Sequence, residues 1–136
     1  MSFKYVIDAY AWIEYFRASK YGEVAKKYIE SGDAATPTIV VSEVSRKLLR
    51  EIEVGNETQE GRLGRLDFMR AMSHIVDLDF DIAVEAGKVD LDIKKRVKGW
   101  GLADSIVLCT ANNAAGKVVT GDEHFRGLDG VIFIKE

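Results

Sequence analysis

Four acidic residues lie far apart in the sequence, and each stands where a helix or strand is predicted to begin or end: Asp8, Glu43, Asp104 and Asp122. Carboxylates that share one pocket repel one another, so either some of them stay protonated or a cation neutralises them. Hard ions such as Mg²⁺ and Mn²⁺ prefer oxygen ligands, and an all-carboxylate site suits metal-assisted phosphoryl or phosphodiester chemistry. We therefore predict that the fold brings the four acids together around a divalent metal ion.

Motifs for other chemistries are missing from the sequence. No histidine pairs with a serine or cysteine nucleophile in a defined motif, and no set of Cys and His residues has zinc-binding spacing. Neither the P-loop nor the dinucleotide-binding glycine pattern is present. The run Gly99-Trp100-Gly101 matches only the start of the glycine pattern and follows no predicted strand. We interpret it as a break between two helices.

The length and composition describe one ordinary soluble domain that spans residues 1–136. With 47% hydrophobic and 30% charged residues, a chain of this length can bury a core without disulfides or a structural metal. The single cysteine, Cys109, lies in an apolar run and is expected to be a buried thiol, which suits a reducing compartment. No signal-peptide core is present, and no apolar run approaches the roughly 18 residues of a membrane span. We expect a cytoplasmic protein without a membrane segment.

The net charge of −3 argues against nucleic-acid binding through the overall field, although local basic patches remain. Residues 88–100 contain five basic residues and two acids, which fits either a solvated helix face or a patch that contacts phosphate. The same two interpretations apply to the basic residues that follow Glu43. For the loop histidine near Asp122, a plain surface position is the alternative to a contact with phosphate. The candidate RNA contacts are Arg46, Lys47, Lys98 and His124.

Apolar runs of strand length alternate with longer helical patterns along the chain. This alternation predicts an α/β fold with three α/β/α layers and a sheet of about five, mainly parallel, strands. Pro37 marks the entry to one helix, and Asn56 is predicted to cap the next. The predicted strands cover residues 3–8, 34–36, 74–78, 117–120 and 131–134.

The predicted elements place the acids where sites form in parallel sheets, beyond the carboxyl ends of the strands. Asp8 and Asp122 follow two predicted strands, whereas Glu43 and Asp104 lie near the starts of helices. Because side chains alternate along a strand, Thr120 points to the same side as Asp122 if the strand continues that far. Its hydroxyl can then orient a carboxylate or a metal-bound water. The alternative is that Thr120 is simply a β-branched strand residue.

In its motifs, the chain resembles the PIN-domain ribonucleases and, among them, the VapC-type toxins of toxin–antitoxin pairs. The resemblance spans nearly the whole chain, and the ordered set of motifs is more specific than any one of them. The matching segments are Val6-Ile7-Asp8, Val41-Ser42-Glu43-Val44, Gly101-Leu102-Ala103-Asp104-Ser105-Ile106 and Val119-Thr120-Gly121-Asp122-Glu123-His124-Phe125.

This resemblance implies a single PIN-like domain with an acidic pocket that binds Mg²⁺ or Mn²⁺. It implies an endoribonuclease that cleaves RNA phosphodiesters by metal-activated water, with Asp8, Glu43, Asp104 and Asp122 as catalytic metal ligands. Thr120 matches the hydroxyl that supports the last acid. The implied partners are an RNA substrate, a small cognate antitoxin and a second copy of the chain in a homodimer.

The chain departs from the resemblance after the first aspartate. Members of the family commonly place Ser, Thr or Asn soon after that position, whereas Ala9, Tyr10 and Ala11 follow Asp8. We therefore expect no supporting hydroxyl from this segment. We interpret Ser105 as a helical filler position, with a polar contact beside Asp104 as the alternative. One alternative is a PIN-fold binding module with weak or no catalytic activity. A third hypothesis, a receiver-like phosphoacceptor domain, fits less well because Asp8 has no adjacent acid.

Overall fold

The computed structural model describes residues 2–136 and contains a five-stranded sheet in the order β3-β2-β1-β4-β5. Every neighbouring pair of strands is parallel, so the predicted parallel α/β/α architecture is confirmed. The strands are β1 (Tyr5–Ile7), β2 (Ala34–Pro37), β3 (His74–Val76), β4 (Lys117–Thr120) and β5 (Val131–Phe133).

Six α-helices connect the strands within residues 2–136, and a short 3-10 turn at Glu123–Phe125 follows β4. Each of these helices is too short or too polar to cross a lipid bilayer. The helices are α1 (Ala9–Phe16), α2 (Lys20–Ile29), α3 (Thr38–Glu53), α4 (Gln59–Met72), α5 (Phe80–Lys94) and α6 (Leu102–Asn113).

The core centres on β1, the middle strand of the sheet, and on β4 beside it. Val6, Ile7, Val118 and Val119 are fully buried, as expected for short apolar strands that helices cover on both faces. The residue pairs that align these strands, such as Ile7 with Val119, bring their carboxyl ends to one edge of the sheet. The residues that follow β1 and β4 therefore become neighbours.

Two features of the sequence prediction are corrected by the structure. The helix predicted to be capped by Asn56 begins instead after Thr58, whose Oγ1 accepts a hydrogen bond from the Gly61 N–H over 2.9 Å. The Asn56 side chain donates to Glu51 at 3.2 Å, so it is not available as the cap. The strands predicted at residues 3–8 and 74–78 are also shorter, because only residues 5–7 and 74–76 pair within the sheet.

Candidate metal centre

Asp8 lies directly after β1 and is only 6% exposed. Its Oδ2 accepts a 2.8 Å hydrogen bond from the hydroxyl of Thr120, the last residue of the adjacent strand β4. Burial raises the pKa of Asp8 from 3.8 to about 6, the hydrogen bond from Thr120 opposes that rise, and the charges of Asp122 and Asp104 add to it. The raised pKa means that the negative charge of Asp8 is unfavourable at this buried position unless a cation lies beside it.

Asp122 is connected to Asp8 through Thr120. Its backbone N–H donates to Thr120 Oγ1 over 3.0 Å, so the one hydroxyl contacts both acidic residues. The predicted alternation of Thr120 and Asp122 along a continuous strand does not occur, because β4 ends at Thr120. The Asp122 carboxylate instead caps the following turn, with Oδ1 accepting from the backbone N–H of His124 at 3.0 Å.

Asp104 occupies the first turn of α6, where its Oδ2 accepts a hydrogen bond from the Gly101 N–H at 3.1 Å. The same oxygen lies 2.9 Å from His124 Nδ1. Burial is the main reason that the pKa of Asp104 is raised, and the contact with His124 partly opposes it. Asp104 is thus held by backbone on one side and by an imidazole on the other.

Glu43 lies on α3, and the negative charges of the other three acids act on its carboxyl group. Its pKa rises from 4.5 to about 7, chiefly through burial and then through the negative charges of Asp8 and Asp104, while Arg46 acts in the opposite direction. Asp122 adds a smaller repulsion. The four acids predicted from the sequence therefore lie near enough to influence one another's pKa values, although they come from four separate parts of the chain.

His124 is the neighbour of these acids that the sequence prediction placed elsewhere, either on a plain surface or against RNA. Ligand atoms of Asp104, Asp122 and His124 lie within 4.8 Å of one another, whereas Asp8 and Glu43 stand outside this trio. The trio forms because the 3-10 turn after Asp122 directs the imidazole back toward α6. A histidine two residues beyond the last acid was the available signal in the sequence.

A buried hydrogen-bond network supports the start of α6. The Trp100 Nε1–H donates to Ser105 Oγ over 2.7 Å, and Ser105 Oγ lies 3.5 Å from Asp90 Oδ1. Trp100 also packs edge-on against Phe125, with ring centroids 5.0 Å apart. The interpretation of Ser105 as a filler position is wrong, since its hydroxyl links three elements and is fully buried.

The candidate RNA contacts differ in their surroundings. Arg46 is exposed and close enough to lower the pKa of Glu43. Lys47 forms an ion pair with Glu51 at 3.1 Å, and Lys98 is exposed shortly before the loop that leads to Asp104. Arg46 is therefore the basic candidate that the structure connects most directly to the acids.

The donor set fits a divalent cation. Three of the acids, Asp8, Glu43 and Asp104, have raised pKa values because they are buried and repel other carboxylates. A bound cation would offset that repulsion, and its positive charge would stabilise carboxylates that burial has removed from water. Carboxylate oxygens are the ligands that Mg²⁺ and Mn²⁺ sites use.

A parallel α/β/α sheet with an acidic cluster beyond its central strands has its candidate site where ligand sites form in parallel α/β domains. The family model described as the PIN domain matches residues 5–131, and the chain belongs to that family. No curated protein matches the chain in sequence.

Solved structures with the same fold cover nearly the whole chain. A toxin–antitoxin complex from Klebsiella pneumoniae is 22% identical with a TM-score of 0.71, and the match covers 98% of this chain and 99% of that chain. The DNA-bound VapBC from Salmonella typhimurium is 14% identical with a TM-score of 0.75 and the same two coverages. VapBC-1 from nontypeable Haemophilus influenzae is 14% identical with a TM-score of 0.70, and covers 97% of this chain and 98% of its own. At these identities the likeness shows the shared fold.

Proposed function

We propose that the protein is a cytoplasmic Mg²⁺- or Mn²⁺-dependent endoribonuclease and the toxin component of a toxin–antitoxin pair. The observation that carries the proposal is the convergence of Asp8, Glu43, Asp104 and Asp122, with the pKa of Asp8 at about 6 and that of Glu43 at about 7. Membership of the PIN domain family supports a nuclease. The toxin–antitoxin complexes among the structural relatives support the biological role.

The four acids would hold the ion, which when bound supplies Lewis-acid charge to the phosphodiester and lowers the pKa of a coordinated water. Thr120 fixes the Asp8 carboxylate through its 2.8 Å hydrogen bond, so that oxygen does not have to reorient during the reaction. Glu43, whose pKa is about 7 without an ion, would release its proton when it binds the cation.

The substrate would be gripped through its backbone by basic residues beside the acids. Arg46 is the first candidate because it is exposed on α3 one turn after Glu43, and Lys47 and Lys98 are the next. His124 remains a further candidate for RNA contact. Contacts of this kind position phosphates and do not read sequence. Attack by water on an in-line phosphodiester gives a 5′-phosphate product.

The proposed partners are a small antitoxin protein and a second copy of the chain. The support for the antitoxin is that similar structures from several bacteria are toxin–antitoxin complexes. The homodimer follows from the resemblance of the motifs to VapC-type toxins. Sedimentation of the purified chain, alone and with a candidate antitoxin, tests both partners.

An RNA cleavage assay tests the proposed activity. Wild type should cleave RNA with Mg²⁺ or Mn²⁺ and lose activity in EDTA, while Asp8→Asn and Asp104→Asn should both be inactive. Asp77→Asn is the matched control because Asp77 is exposed and follows the edge strand β3. Equal cleavage by all four proteins would discard the site. Absent metal binding with tight antitoxin binding would favour the alternative, a catalytically inactive PIN-fold binding module.

A further inference from the structure

His124 presents one ring nitrogen to the acidic cluster. Its Nδ1 lies 2.9 Å from Asp104 Oδ2 and 3.8 Å from Asp122 Oδ1. Two ligands at right angles around an ion, each about 2.1 Å from it, lie about 3 Å apart, and opposed ligands lie about 4 Å apart. The two separations of His124 from the carboxylates fall within that range.

The orientation of the imidazole is set by its surroundings. The His124 backbone N–H donates to Asp122, and the next residue, Phe125, is fully buried against Trp100. Gly99, with φ of +83°, lies against the other side of the ring, where an added Cβ would stand 3.0 Å from Nε2. Nε2 thus faces Gly99, which leaves Nδ1 as the nitrogen directed at the acids.

We propose that His124 binds the same divalent ion as Asp104 and Asp122 through Nδ1, and that this nitrogen makes the site prefer Mn²⁺ to Mg²⁺. The inference rests on the proposed metal-dependent function and adds a ligand to it. Mg²⁺ takes oxygen ligands almost exclusively, whereas imidazole binds transition-metal ions well. A site of carboxylates alone lacks this source of discrimination.

Pulsed electron paramagnetic resonance of the tag-free chain loaded with Mn²⁺ tests the inference without reference to activity. A coordinated imidazole couples its ¹⁴N nucleus to the Mn²⁺ spin. The chain has two histidines, so the signal is assigned with two variants. Wild type and His74→Asn should show the ¹⁴N coupling, and His124→Asn should lack it. His74 is the matched control because it lies on the edge strand β3, stacked on Phe3.

Calorimetric titration provides the second measurement. In His124→Asn the dissociation constant for Mn²⁺ should rise by about tenfold or more, with little change in that for Mg²⁺. Asparagine retains a side-chain donor near Asp104, and thermal unfolding verifies that the variant is folded. An equal rise in the dissociation constants for Mn²⁺ and Mg²⁺ would show that His124 acts only by holding Asp104. This result would overturn the inference.

The outcomes separate this inference from the proposed function. Tight Mn²⁺ binding without ¹⁴N coupling in wild type overturns the role of His124 and leaves the carboxylate site standing. An unchanged Mn²⁺ affinity with weaker RNA binding in His124→Asn also overturns it and assigns the residue to RNA. Absence of any Mn²⁺ or Mg²⁺ binding by wild type overturns the proposed function as well.

Discussion

The hydroxyl of Thr120 donates a hydrogen bond to Asp8 across 2.8 Å and joins two residues that are 112 positions apart. Members of the PIN domain family commonly place a hydroxyl or amide soon after the first acid, and Ala9 leaves that position empty here. The structure supplies a hydroxyl from the neighbouring strand instead. Asp8 is therefore held by a side-chain hydroxyl although the side chains of its own segment offer none, where only the Ala9 backbone N–H supports the carboxylate.

Replacing this hydroxyl should weaken both the fold and the site. We expect Thr120→Val to lower the free energy of unfolding by about 1–3 kcal/mol, since it leaves the buried Asp8 carboxylate and the Asp122 N–H without their shared partner. Urea unfolding measures the loss. Thr120→Ser, which retains the hydroxyl, should recover most of the metal affinity that Thr120→Val loses. A valine variant with unchanged Mg²⁺ affinity would contradict the supporting role.

The contribution of Asp8 to the stability of the metal-free protein should fall as the pH rises from about 4 to 7. The pKa of Asp8 is higher in the folded chain than in the unfolded chain, so the native state binds the proton more tightly and loses that advantage above its own pKa of about 6. In EDTA at about pH 8, Asp8→Asn should be more stable than wild type by up to about 3 kcal/mol. At about pH 4 the two proteins should have the same free energy of unfolding. Asp77→Asn, at an exposed position, should not show this pH-dependent difference from wild type.

Metal affinity should rise with pH over the same interval. Glu43 and Asp8, with pKa values of about 7 and 6, must release protons before they can bind a cation. We expect the dissociation constant for Mg²⁺ to decrease from about pH 5 to 8. Calorimetry in two buffers with different ionisation enthalpies counts the released protons. An affinity that is flat across this interval would mean that neither acid is a ligand.

A side chain at Gly99 should disturb the imidazole of His124. Gly99→Ala combines the cost of a positive φ, about 1–2 kcal/mol, with a contact of 3.0 Å between the new Cβ and Nε2. Gly55→Ala is the matched control, because Gly55 has φ of +82° and open space around its Cβ position. Both variants should lose similar stability, but only Gly99→Ala should change metal binding. Equal metal affinity in the two variants would show that the ring can move freely.

Removing the Ser105 hydroxyl should destabilise the loop before α6. Ser105→Ala leaves the buried Trp100 Nε1–H without its acceptor, and we expect a loss of about 1–3 kcal/mol in the free energy of unfolding. Ser42→Ala, at an exposed position on α3, should change stability by less than about 0.5 kcal/mol. Comparable small effects in both variants would mean that the network contributes little.

The class of fold was predictable because short apolar runs and longer helical patterns alternate throughout the chain. The positions of the four acids were also predictable, since the carboxyl ends of adjacent parallel strands meet at one edge. The cap at Thr58 was missed because Asn56 and Thr58 are both good capping residues, and only the contact of Asn56 with Glu51 distinguishes them.

The role of His124 and the Ser105 network could not be predicted, for a different reason. Both depend on contacts between α6 and segments distant from it in sequence, such as His124 with Asp104 and Ser105 with Asp90. The position of His124 two residues beyond Asp122 indicated that it lies near the acids, but the spacing did not indicate its contact with Asp104. For Thr120, strand alternation indicated a polar contact with an acid, but through Asp122 rather than through Asp8.

The acidic cluster can form only after β1 has paired with β4 during folding. β1 lies at the beginning of the described chain and β4 begins at Lys117, so their pairing closes a loop of over a hundred residues, a slow step in folding. A chain in which β4 has not docked lacks both Thr120 and Asp122 beside Asp8. The site that we propose would therefore be complete only after β4 has paired with β1.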